Sequence, residues 1–69
     1  MANLHLRWTE PLSGERLIRC SIPDSANMDV LKKVRDEEIQ IITRDHGPEV
    51  AATLSEWQNN QGKEIVRQP

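Results

Sequence analysis

Apolar and polar residues alternate from Asn3 to Thr9, with Leu4, Leu6 and Trp8 on one side and His5, Arg7 and Thr9 on the other. A period of two is the mark of a half-buried strand. Glu10-Pro11-Leu12-Ser13-Gly14-Glu15 supplies turn residues, and alternation resumes from Arg16 to Ile22 with Ile18, Cys20 and Ile22 on one face. Two strands about a short loop predict a β-hairpin. Pro23-Asp24-Ser25 ends the second strand, and Asp24 or Ser25 offers a side-chain oxygen to cap a helix. Met28, Leu31 and Val34 follow at helical spacing, so an amphipathic helix is expected over 26–36, with Lys32, Lys33 and Arg35 facing water.

Residues 37–43 fit two descriptions. No Gly or Pro separates them from the helix before, and Val34, Glu38 and Ile42 keep its period. Ile39, Ile41, Ile42 and Thr43 are β-branched, however, and such side chains lose freedom in a helix and suit a pleated surface. We read this stretch as a strand. Asp45-His46-Gly47-Pro48 breaks the chain, and Pro48 and Glu49 suit the start of a second helix over 48–60, closed by Gly62. Residues 63–67 read as a last short strand.

The expected fold is therefore an α+β two-layer sandwich of order β-β-α-β-α-β, a small mixed sheet with both helices on one face. Its core would hold Leu4, Leu6, Trp8, Ile18, Ile22, Leu31, Val34, Ile39, Ile41, Val50, Leu54, Trp57 and Ile65. If the first helix instead runs through to Thr43, the fold is a β-hairpin packed on two helices.

Length narrows these choices. The 69 residues make one small domain, read as complete, with two Trp and neither Phe nor Tyr. At about 1.5 kcal/mol of ordering entropy per residue, nearly every long apolar side chain has to be buried. One cysteine excludes an internal disulfide, and with two histidines it leaves no set for a closed zinc site. No cofactor is implied. A net charge of −2 with interspersed signs is a poor footprint for a polyanion binder, although a local basic patch can exist within it. No secretion signal or membrane-length apolar run is visible, so the expected compartment is the cytoplasm. Dimerisation through an open sheet edge is the alternative to a monomer.

Few residues offer chemistry. Cys20 lies close to the expected start of the first helix, where the helix dipole and Arg19 would favour a thiolate. It equally fits a small hydrophobe between Ile18 and Ile22. His5 and His46 are far apart in sequence with no carboxylate fixed beside either, and read as a solvated strand residue and a loop residue. Trp8 and Trp57 read as core anchors, since neither sits in a basic stretch with other aromatics.

The second half carries a family resemblance. Glu37-Glu38-Ile39-Gln40-Ile41-Ile42-Thr43-Arg44-Asp45 and Trp57-Gln58-Asn59-Asn60-Gln61-Gly62-Lys63-Glu64-Ile65 are similar to segments of the TusA/SirA family of small sulfur carriers. Cys20-Ser21-Ile22-Pro23 keeps the cysteine and the second proline of that family's Cys-Pro-x-Pro. Ser21 replaces the first proline, the family's Asp-x-x-Gly before the cysteine is missing, and Leu4 to Thr9 is an extra strand. The resemblance implies an α+β sulfurtransferase-type carrier that accepts sulfur as a persulfide on Cys20 and relays it to a partner protein, with Pro23 fixing the helix entry. Arg19, Lys32 and Lys33 are then candidate partner contacts, by charge rather than by motif. The competing reading is a non-enzymatic adaptor that binds a protein, with nucleic acid the weaker candidate, through the hairpin or the first-helix face. Its best contacts are Arg7, Arg16, Arg19, Lys32, Lys33 and Arg35.

Overall fold

The computed structural model describes residues 2–65. Four elements follow in order: β1 (Asn3–Thr9), β2 (Arg16–Pro23), α1 (Met28–His46) and α2 (Pro48–Ala51). The class is α+β, a two-stranded antiparallel sheet with helices.

The hairpin forms where the alternation places it, but its register carries an irregularity. Leu4 pairs with Ile22, His5 with Ser21 and Leu6 with Cys20, after which Arg7 pairs with Ile18 and Trp8 with Leu17. Arg19 is the extra residue of a β-bulge between these two runs. Because side chains alternate with period two, one extra residue exchanges the faces of everything before it. Leu17 thus joins Trp8 on the inner side, and Ile18, expected in the core, stands on the outer face at 51% exposure.

Residues 37–43 are helical, not a strand, and the expected helix over 26–36 is the first half of α1. Asn27, rather than Asp24 or Ser25, caps it, its side-chain oxygen accepting from the Val30 N–H at 2.9 Å. With no Gly or Pro to stop it, the helix continues to Gly47, and Leu31 and Ile42, eleven positions apart, bury on one side. Burying Ile42 completely outweighs the few tenths of a kcal/mol that each β-branched residue costs a helix. Thr43 fits the helix by donating its hydroxyl to the Ile39 carbonyl at 2.7 Å.

The second helix is shorter than the expected 48–60. Past α2 the chain extends along the free edge of β1, because Thr53 and Ser55 give that edge hydrogen-bond partners. The Thr9 N–H donates to Thr53 Oγ1 at 3.0 Å and the Arg7 N–H to Ser55 Oγ at 2.8 Å. The Ser55 N–H returns a bond to the Arg7 carbonyl, and His5 and Gln58 exchange both of theirs. Beyond it, Asn59 to Lys63 make a tight turn with Gly62 at φ 81°, so Gly62 closes this turn and not a helix. The strand expected over 63–67 is reduced to a single bridge between Gln58 and Glu64, with the Ile65 N–H donating to the Trp57 carbonyl at 3.1 Å. Residues 66 and 67 lie outside the described residues. The sheet is accordingly not mixed, and the β-β-α-β-α-β order is replaced by a hairpin with two helices.

The core gathers Leu4, Leu6 and Trp8 of β1, Leu31 and Ile42 of α1, Ala51 of α2, and Leu54 and Trp57 of the extended segment. Ile22, Val34, Ile39 and Val50 pack around it half-buried, whereas Ile65, expected inside, is exposed. Three polar tethers fix α1. The Trp57 indole N–H donates to the Leu31 carbonyl at 2.9 Å. Arg35, expected to face water, is half-buried, pairs with Glu56 at 3.3 Å and donates to the Ser55 carbonyl at 3.1 Å. Arg19 pairs with Glu38 at 2.7 Å.

Candidate functional site

Cys20 sits inside β2, opposite Leu6, with a half-buried free thiol. The helix N-terminus expected to stabilise its thiolate is elsewhere, since α1 begins at Met28 and the group that α1 brings toward the sulfur is Glu38. Burial raises the Cys20 pKa above its ordinary value and Glu38 raises it further, against a weaker lowering by Arg19. The surroundings therefore favour a protonated thiol, with little thiolate to act as nucleophile at neutral pH.

Arg19 and Trp8 complete this region. As the bulge residue, Arg19 crosses toward α1, pairs with Glu38 and lays its guanidinium 4.9 Å from the centre of the Trp8 ring. The His46 ring, in the last turn of α1, lies 5.4 Å from the same ring at a 50° tilt. The cation over the ring contributes about 0.5–1 kcal/mol, and the cluster closes the rim of the core. Pro23 is the last residue of β2, and its carbonyl accepts from the Ala26 N–H at 3.1 Å. It therefore belongs to the turn leading to Asn27 and does not form the helix entry. Lys32 and Lys33 are exposed on α1. The charges that act on the Cys20 thiol are those of Glu38 and Arg19, and neither lysine is among them.

His5 is held on the outer sheet face by Ser21 Oγ at 2.7 Å and Asn60 Oδ1 at 2.8 Å, so the two histidines do not converge. Among the described residues no group of three or more His, Cys, Asp or Glu side chains gathers as metal ligands would. Among the same residues no helix is long and apolar enough to cross a membrane.

The turn between the strands is a different kind of site. The Glu10 N–H donates to the Glu15 carbonyl at 2.8 Å, and the Gly14 N–H to the Glu10 carbonyl at 2.7 Å. The Glu10 carboxylate folds back over the loop and accepts from the Leu12 N–H at 3.1 Å and the Ser13 N–H at 2.6 Å, while the Glu15 N–H donates to Ser13 Oγ at 3.2 Å. Pro11 has no N–H, so every backbone donor from Glu10 to Glu15 is engaged within the turn. Gly14 supplies the one positive φ, 72°, that the turn requires. Hydrogen bonding to the carboxylate from Ser13, its side chain first and its backbone next, and from the Leu12 N–H holds the Glu10 pKa below its ordinary value.

On this braced backbone Leu12 is 95% exposed. Among the described residues nothing covers its side chain. The sequence pattern identifies these residues as turn formers and does not single out Leu12. The signal available was a leucine between Pro11 and Ser13 at a hairpin tip, where turn chemistry favours polar or small residues.

Comparisons with protein-family models, with characterised proteins and with solved structures find no match to this chain.

Proposed function

We propose that this protein is a non-enzymatic adaptor that docks a partner protein through the β1–β2 hairpin, with Leu12 as the apolar anchor. The observation that carries the reading is the pairing of a fully engaged turn backbone with a leucine 95% exposed at its tip. Burying such a side chain in a partner's pocket contributes about 1.5–3 kcal/mol. Because the turn is already ordered, little of that gain is lost to fixing the loop on binding. The first-helix face offers less: Glu37, Gln40, Ile41 and Arg44 line a shallow hollow along a single helix.

The test compares the wild-type chain with Leu12→Asp, each immobilised and exposed to an extract of the source cells. The two should unfold at the same temperature, and at least one protein held by the wild type should be depleted about tenfold or more from the variant, the loss expected for about 1.4 kcal/mol. An unchanged set of bound proteins refutes the reading.

Sulfur carriage, which the family resemblance implies, is a second proposal resting on the partial exposure of Cys20 and the cation beside it. It requires the thiol to ionise against burial and Glu38, which makes it the weaker reading. Incubation with a cysteine desulfurase and labelled cysteine tests it: a label lost in Cys20→Ser supports carriage, and no label refutes it.

A further inference from the structure

The arginines among the described residues divide into two groups. Arg19, Arg35 and Arg44 each pair with a carboxylate, at 2.7, 3.3 and 3.1 Å. Among the described residues Arg7 and Arg16 pair with none, in a chain with 11 Asp and Glu and a net charge of −2. Both belong to the outer face of the hairpin. Arg7 lies directly opposite Ile18, and Arg16 opposite Thr9, the next outward pair toward the turn.

Neutral oxygens orient these two guanidinium groups without cancelling their charge. Arg7 donates to Gln58 Oε1 at 2.8 Å. Arg16 donates to Thr9 Oγ1 at 3.3 Å and to the Thr53 carbonyl. Each keeps further N–H donors, and guanidinium binds carboxylate in a forked, charge-assisted geometry. The outer face thus presents Ile18, 51% exposed, flanked by two oriented cations that have no carboxylate partner among the described residues.

We infer that the partner segment lying on this face is acidic, with carboxylates for Arg7 and Arg16 on either side of an apolar residue set against Ile18. The inference rests on the adaptor reading and specifies the chemistry of its partner. Peptide fits better than nucleic acid. Trp8 and Trp57 are buried, so the face offers no indole on which a base could stack, the His5 ring is held by Ser21 and Asn60, and the centre of the face is an aliphatic side chain. The bulge at Arg19 and the proline at the end of β2 interrupt the outer edge of the sheet, so recognition runs through side chains on the face and not through strand addition.

The experiment titrates the isotope-labelled full chain, followed by amide resonances, with three probes at equal ionic strength: an acidic peptide with leucine between glutamates, its glutamine counterpart, and a short single-stranded oligonucleotide. The acidic peptide should shift Arg7, Arg16 and Ile18, and the glutamine peptide should leave them in place. Arg7→Gln with Arg16→Gln should weaken binding about tenfold, about threefold for each pair lost, while Arg7→Lys with Arg16→Lys, which keeps the charge and loses the fork, should weaken it less. Absent shifts, or equal shifts with the glutamine peptide, overturn the inference, as does tighter binding of the oligonucleotide on the same face. Leu12-dependent capture that is indifferent to Arg7 and Arg16 would refute the acidic partner and leave the adaptor reading standing. Loss of Leu12 dependence would refute the adaptor reading itself.

Discussion

The Trp57 indole N–H meets the Leu31 carbonyl at 2.9 Å, and this bond joins the extended C-terminal segment to the first half of α1. Trp57 is 1% exposed and is the largest side chain fully inside the core. It therefore supplies both much of the buried area and the polar contact that sets where the helix lies.

Trp57→Ala should cost about 3–5 kcal/mol, much of the stability of so small a domain. Trp57→Phe should cost less, since it keeps most of the apolar volume and loses one hydrogen bond of about 1 kcal/mol. Denaturant unfolding of both variants checks the order. A Trp57→Phe loss equal to that of Trp57→Ala would contradict the division between packing and hydrogen bond.

The bulge makes a prediction that regular pairing reverses. Ile18→Thr on the outer face should change stability by less than about 0.5 kcal/mol, whereas Leu6→Ala, fully buried, should cost about 2–5 kcal/mol. Thermal unfolding measures both. A large loss at Ile18 would place it in the core and remove the bulge from β2.

The Glu10 brace should respond to acid. Its folded pKa is lowered, so its contribution is present above the unfolded value near 4.5 and is lost as pH falls through the folded value. The Leu12 and Ser13 amide resonances should titrate below pH 4.5, and Glu10→Gln should remove that titration. A midpoint at or above 4.5 would show the carboxylate free of the turn.

Cys20 should be a sluggish nucleophile. Alkylation at neutral pH should run severalfold slower than for a free cysteine peptide, because burial and Glu38 raise its pKa. Glu38→Gln should accelerate it by removing one of the two raising influences. A rate above the peptide's would indicate an activated thiol and strengthen the sulfur-carrier proposal.

These predictions mark where sequence reading stops. β1 was legible because the alternation of Leu4, Leu6 and Trp8 is local and complete. Ile18 was not, because residues 16–22 alternate without a flaw and the extra residue exists only relative to β1. For residues 37–43 the β-branched side chains pointed one way, and the unbroken path from Leu31 to Ile42 the other. Only the buried position of Ile42 decides between them. Leu54 and Trp57 are three apart, the spacing of one helix face, so periodicity alone carries the second helix on to residue 60. The hydroxyls of Thr53 and Ser55 tip the balance by bonding the edge of β1, a partner more than forty residues away. At the turn, composition identified the loop but not the reach of Glu10 back over it, and that reach is what makes Leu12 a fixed feature.

The central claim is that Leu12 enters a partner. A photo-reactive leucine analogue at position 12, with a control at exposed Val30, tests it most directly in an extract of the source cells. A covalent adduct should form from position 12 and not from position 30, and should be suppressed by excess unlabelled wild type but not by Leu12→Asp. Equal labelling from both positions, or suppression by Leu12→Asp as strong as by wild type, would contradict it.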